Sequence, residues 1–217
     1  MASRLVIFDC DGVLVDSEGL GNTVFADMLA DYGHKISSVE SEGRFRGMNV
    51  TKCLEILERE TGIELPDSFE AEFRQRMSSV FQAELRPVKG ALRLVESLRV
   101  PFCVASSGPR KKIEENLQTT SLYPHFVNKI FSGYEVGSWK PDPALFLCAA
   151  EHFGVAPRDC VVIEDSFVGV SAGVAAGMTV LGLSAAEDHR SVAAADRIFA
   201  SLEEIHEFFV AHKLSHK

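Results

Sequence analysis

The chain is short of basic residues, of paired cysteines and of any long apolar run that reads as a membrane span. Lysine and arginine number 22 against 31 aspartates and glutamates, a formal charge of −9. No basic surface is therefore on offer to a nucleic acid, and an anionic ligand needs a locally positive site. The five cysteines (Cys10, Cys53, Cys103, Cys148 and Cys160) are odd in number and form no CxxC pair. They lie mostly in apolar runs and read as buried free thiols, neither a disulfide framework nor a zinc site. Free thiols fit a reducing compartment, so a cytoplasmic location is expected. The histidines are scattered, with no HxH or HExxH spacing, and read as surface or packing residues. The opening MASRLVIFDCDG has too short an apolar run for a signal peptide. Residues 166–186 carry no charge and contain a small-xxx-small pattern at Gly169, Gly173 and Gly177. The break at Gly177-Met178-Thr179 divides them into a helix followed by a strand, with the glycines letting that helix lie close to a sheet.

What is present is an ordinary globular composition over 217 residues, 46% hydrophobic, enough for a core and a smaller second lobe. Four short apolar runs end in polar residues: 4–8 before Asp9, 102–105 before Ser106-Ser107-Gly108, 160–163 before Glu164-Asp165, and 179–183 before a polar loop. Helical stretches at 90–98, 109–118, 143–153 and 167–176 alternate with them. This pattern predicts an α/β fold with a doubly wound parallel sheet covered on both faces. Ligands of such sheets bind beyond the carboxyl ends of the strands, where Asp9, Asp11, Ser106 and Asp165 fall. Residues 17–86 differ. Amphipathic helices at 20–32, 49–61 and 66–85, with no strand signal between them, predict an inserted all-helical domain. The predicted division is 1–16 with 87–217 for the core and 17–86 for the insert, with hinges near Ser17 and Pro87. A last strand at 197–200 precedes a helix opened by Ser201 and Glu204 in a capping box.

Asp9-Cys10-Asp11-Gly12 places two carboxylates two residues apart before a glycine turn. Either this is a polar strand end, or a cation or shared proton holds the pair together. The N–H groups of Ser107 and Gly108, at the start of a helix, offer an anion site. Arg110, Lys111 and Lys112 in the first turn of that helix oppose its dipole; either an anion answers them or they splay into water. Lys140 is a surface charge or a site residue. Asp142 reads as an N-cap before Pro143, and Trp139 as core packing beside Lys140.

The runs FDCDGVLVDSE, VASSG, SWKPDP and VVIEDSFVGVSAGVAAGM together resemble the four signature motifs of the haloacid dehalogenase superfamily. The helical insert resembles the cap of its branch containing β-phosphoglucomutase and phosphoglycolate phosphatase. The resemblance covers essentially the whole chain. It implies a Rossmann-like core and a Mg²⁺-dependent phosphatase acting on a small phosphorylated metabolite, a sugar phosphate or phosphorylated sugar acid. It implies Asp9 as nucleophile and Asp11 as general acid/base, with Lys140 neutralising phosphoryl oxygens and Ser106 binding them. The metal ligands it implies are Asp9, the Asp11 backbone carbonyl and Asp165, with Glu164 acting through water. Arg44, Arg46 and Gly47 fall where relatives carry a substrate-specificity loop; they contact a second anionic group or stay solvated. Arg110 is a further candidate for substrate contact. Neither a nucleic-acid nor a membrane partner is expected, and the chain is taken as a monomer. Two alternatives stay open. A phosphomutase is disfavoured by Ser17 and Gly21, where mutase relatives carry threonine and histidine. A non-catalytic binding protein of the same fold is disfavoured because every motif is intact. Asp11 and Asp165 speak against a carbon-attacking dehalogenase, and the helical lobe against a signal-receiver domain.

Overall fold

The structure, a computed structural model, describes residues 5–45, 50–185 and 189–214. β1 (Leu5–Phe8) is followed by the helices α1 (Glu18–Asp31), α2 (Ser38–Phe45), α3 (Val50–Thr61), α4 (Phe69–Glu84) and α5 (Ala91–Ser97). Then come β2 (Phe102–Ser106), α6 (Arg110–Thr119), α7 (Tyr123–Phe126), β3 (Ile130–Ser132), α8 (Gly133–Val136) and α9 (Ala144–His152). β4 (Cys160–Glu164), α10 (Phe167–Ala175), β5 (Thr179–Leu183), β6 (Arg197–Phe199) and α11 (Leu202–Ala211) complete the order.

The six strands form one parallel sheet in the order β3-β2-β1-β4-β5-β6. Apolar runs without alternation form its centre because both faces are covered: every residue of β1 is fully buried. Leu5 and Ile7 pack with Cys103, Ala105, Phe146, Val162 and Val180 in one cluster. On the other side, Phe8 makes edge contacts with Phe102 and Phe126 at 6.4 and 6.1 Å.

Register sets up the site. Phe8 lies opposite Val104 on one side and Ile163 on the other, so Asp9, Ser106 and the pair Glu164-Asp165 leave the sheet at one edge. The Asp9 N–H still donates to the Ile163 carbonyl at 3.0 Å. β3 was not legible as a strand: it is three residues long. The capping box at α11 forms with a shifted partner, as Ser201 Oγ accepts the Glu204 N–H while Glu204 Oε2 accepts that of Ala200. Asp142 accepts the Ala144 N–H at 2.8 Å, capping α9 one residue later than expected.

By its contacts the chain divides into two units, Asp16–Leu85 and the stretches flanking it. The former has its own core around Phe25, whose ring meets Phe45, Phe69 and Phe73 edge-on at 5.7–6.1 Å. Its helix α2 was not expected; SVESEGRF buries only Ser41 and Phe45 and shows no apolar stripe. In the other unit Val15 bridges to both Asp11 and Pro87, and the Val88 N–H donates to the Leu14 carbonyl at 3.0 Å. The outgoing and returning segments thus run side by side where they meet the sheet.

Candidate active site

Asp9 stands at the tip of β1, 8% exposed. Lys140, in the loop before α9, donates to Asp9 Oδ1 and, at 2.6 Å, to Glu164 Oε1. Its side chain is 3% exposed, and its ammonium lies 4.9 Å from the centre of the Phe146 ring. The other Glu164 oxygen accepts the N–H groups of Asp165 and Ser166 and the Ser166 hydroxyl at 2.9–3.1 Å. Ser166 also accepts the Gly169 N–H, capping α10. These bonds fix Glu164 at the end of its strand.

Oxygens of Asp9, Glu164 and Asp165 come within 4.8 Å of one another. Three buried carboxylates with one buried ammonium leave a surplus of negative charge where desolvation is expensive. An all-oxygen donor set of this kind fits a hard divalent cation such as Mg²⁺. The cost shows in Asp9: burial raises its carboxyl, Lys140 pulls it back and Glu164 raises it again, leaving it at about 7. Lys140 moves the opposite way. Burial lowers its ammonium, and Asp9 and Glu164 more than reverse this, holding it above the ordinary lysine value.

Two glycines make room for the carboxylates. Gly12 has φ +83°, and a Cβ there would stand 2.2 Å from Asp165 Oδ2. A Cβ on Gly169 would stand 1.7 Å from Glu164 Oε1. Among the glycines of α10, close approach to the sheet holds for Gly173, against Val180 and Val162, but not for Gly177. Gly177 has φ +70° and open space around it; it ends the helix, with the Met178 N–H donating to the Gly173 carbonyl.

Asp11 does not share the partner of Asp9. β1 has ended, the chain turns at Gly12, and the Asp11 carboxylate faces α6. Lys112 Nζ donates to its Oδ2 at 2.9 Å and Asn116 Nδ2 approaches its Oδ1 at 3.5 Å. The Lys112 side chain keeps 43% of its surface exposed; partial desolvation acts to lower its ammonium, and Asp11 more than reverses this, leaving it above the ordinary value. Ser106 is 3% exposed, and its Oγ accepts the Gly108 N–H at 3.1 Å. That N–H, a candidate anion donor together with that of Ser107, is engaged by Ser106 in this arrangement. With its oxygen accepting, the Ser106 hydroxyl keeps its proton for another acceptor. Ser132, at the tip of β3, donates to the Gly108 carbonyl at 2.6 Å and steadies this loop.

Several candidate residues have partners within the protein. Arg110 is held by Glu135 and the Ile130 carbonyl at 2.5–2.8 Å; carboxylates of its own unit answer its charge. Arg44 pairs with Glu60 on α3 at 2.5 Å and lies over the Phe45 ring. Trp139 is 47% exposed and meets Tyr134 edge-on, so it does not pack into the core. Arg46 and Gly47 lie outside the described residues. Asn116 and Ser132 were not singled out, Gly169 was read only as a packing glycine, and Lys112 only as a cation that an anion answers or water solvates. Lys112 and Asn116 carried one faint signal, an i,i+4 spacing that puts them on one face of a helix. All five cysteines are free, and no described helix is long and apolar enough to cross a membrane.

This geometry has known counterparts. A family model described as haloacid dehalogenase-like hydrolase matches residues 3–177. A 6-phosphogluconate phosphatase of Escherichia coli (strain K12) is 36% identical over 177 residues, covering 81% of this chain and 80% of that protein. A phosphorylated carbohydrates phosphatase of Thermotoga maritima is 34% identical over 179 residues, covering 80% and 81%. A crystal structure of a haloacid dehalogenase-like protein from Agrobacterium tumefaciens superposes with a TM-score of 0.90 at 31% identity, over 97% of this chain and 99% of that one. Motifs, sheet and strand-end carboxylates agree: the chain belongs to the haloacid dehalogenase-like hydrolases, in the branch of these phosphoric monoester hydrolases.

Proposed function

We propose that the chain hydrolyses a small phosphorylated metabolite, a sugar phosphate or phosphorylated sugar acid, through a phosphoryl ester on Asp9. The observation that carries this is Asp9 itself. It is a buried carboxylate at a strand tip, bound on one oxygen by Lys140 and flanked by two more carboxylates in a cluster that calls for a cation.

In the first step the second Asp9 oxygen attacks phosphorus as the bond to the substrate alcohol breaks. Asp11 gives its proton to the departing oxygen, so a neutral alcohol leaves. Lys140 offsets charge between Asp9 and the incoming phosphoryl group, and the Ser106 hydroxyl donates to a phosphoryl oxygen. In the second step a water attacks the same phosphorus, Asp11 takes its proton, and the Asp9–phosphorus bond breaks to release inorganic phosphate. Asp9, Asp165 and the Asp11 backbone carbonyl are the candidate Mg²⁺ ligands. Glu164, with its oxygens held by Lys140 and the start of α10, would support the ion indirectly, through water. When bound, the ion supplies positive charge to the phosphoryl oxygens and the acidic cluster.

The helical unit serves as the specificity cap, with Arg46 and Gly47 as candidates for a second anionic group; a guanidinium pairs bidentately with carboxylate. The names of the Escherichia coli and Thermotoga maritima relatives support phosphorylated carbohydrates as the substrate class. The free thiols and acidic composition suit a cytoplasmic monomer.

The test is phosphate release across a panel of phosphorylated sugars and sugar acids. Release with Mg²⁺, abolished by EDTA and restored by excess Mg²⁺, is expected. Isomerisation of a sugar phosphate without net phosphate release identifies a mutase instead. Silence on every ester, with no phosphoryl group on Asp9, leaves a binding protein.

A further inference from the structure

Asp11 sits past the end of β1, and the backbone bonds around it belong to the turn: the Gly12 N–H donates to the Val15 carbonyl at 2.8 Å, and Leu14 and Val15 donate to the Cys10 carbonyl. None of these fixes the Asp11 side chain, which is 31% exposed. A carboxylate in that setting has staggered alternatives open to it, and a proton donor is effective only when it meets the departing oxygen in one geometry.

α6 supplies two side-chain bonds to this carboxylate. Lys112 and Asn116 reach the two oxygens of Asp11 from one helix face. The helix is itself well anchored: Asn116 is 4% exposed, the Thr120 hydroxyl donates to the Asn116 carbonyl, and Arg110 ties the first turn to Glu135 and Ile130. Lys111 next door shows the contrast. It is 88% exposed, against 43% for Lys112, and pairs with Glu115 of its own helix at 3.7 Å. A lysine in a first helical turn opposes the dipole, and at position 112 a carboxylate from the other side of the strand tip answers it.

We propose that Lys112 is a positioning residue for Asp11, holding its carboxylate together with Asn116 so that proton transfer to the leaving alcohol occurs from a fixed orientation. The proposal rests on the reading of Asp11 as proton donor, and its test separates the two. kcat/KM reports the steps up to release of the alcohol. Nitrophenolate departs without a proton, whereas an alkoxide does not. The comparison therefore pairs p-nitrophenyl phosphate with the best alkyl phosphate of the panel, for Lys112→Met, Lys112→Gln, Lys112→Arg and Asp11→Asn, with melting curves for each.

In Lys112→Met and Lys112→Gln, kcat/KM for the alkyl ester is expected to fall roughly tenfold further than for the nitrophenyl ester, with Lys112→Arg recovering most of the difference. Asp11→Asn is expected to show a larger selective loss, on the order of 10² or more. Equal losses on both esters in the Lys112 variants, or no loss, overturn the positioning role while Asp11 keeps its own. Equal losses on both esters in Asp11→Asn remove the proton-donor reading, and the positioning role with it.

Discussion

Asp9 is placed where ionisation is hardest, and that has a measurable consequence in the metal-free protein. Folding lifts its carboxyl from 3.8 to about 7, chiefly by burial. The folded state therefore binds this proton more tightly than the unfolded one. The destabilising contribution is absent below 3.8, grows as the group ionises, and is complete above about 7. Asp9→Asn removes it. In EDTA, the melting temperature of the variant minus that of the wild type should rise as pH goes from 4 to 7, while turnover is abolished. A difference that stays flat or falls with pH would contradict the placement of Asp9. At this scale the sequence was readable wherever the meaning was local. DCDG and ED declare their carboxylates within a few residues. Partners far along the chain were not readable: Glu135 lies 25 residues beyond Arg110 and Lys112 lies 101 beyond Asp11. Arg110, Lys111 and Lys112 therefore read alike, with Arg110 the candidate for substrate contact. A cation looks the same in a sequence whatever answers it.

Among the elements, α10 shows how one glycine-rich helix does separate jobs. Gly169 leaves room for a carboxylate that cannot easily swing away, since Lys140, Asp165 and Ser166 all bind it. Gly177 only ends the helix in a left-handed turn. Gly169→Ala is expected to weaken Mg²⁺-dependent activity at least about tenfold by displacing Glu164, which holds Lys140 and a neighbouring ligand in place. Gly177→Ala should cost about 1–2 kcal/mol of stability from backbone strain alone, with kcat near wild type. Urea unfolding and Mg²⁺ titrations of activity distinguish them; a Gly169→Ala enzyme with normal metal dependence would undo the assignment. The long elements were legible because their patterns repeat: four buried apolar strands and the longer helices of both units. α2 was missed because two buried residues in eight draw no stripe, and β3 because three residues carry no periodicity and, unlike β6, no long helix after it marks where it ends.

Over the whole molecule, an acidic chain with a surplus of buried carboxylate should gain stability from a divalent cation bound at that cluster. A ligand bound only by the folded state adds about 2.7 kcal/mol at a hundred times its dissociation constant. Calorimetry with Mg²⁺ should therefore show a higher melting temperature, and Asp165→Asn should abolish most of the increase. No shift in the wild type would remove Asp165 and Asp9 as ligands. The helical unit enters this picture through its attachment, where the departing and returning segments are tied together by Val15, Pro87, Leu14 and Val88. For the sheet, everything between those points is an excursion whose ends are already joined. Closure of such an excursion becomes only about 0.6 kcal/mol harder with each doubling of its length. The excursion can be lengthened, trimmed or replaced by an unrelated bundle with little penalty to the half that breaks the bond. On the proposed division of labour, selectivity and reactivity are in this way free to evolve on separate schedules.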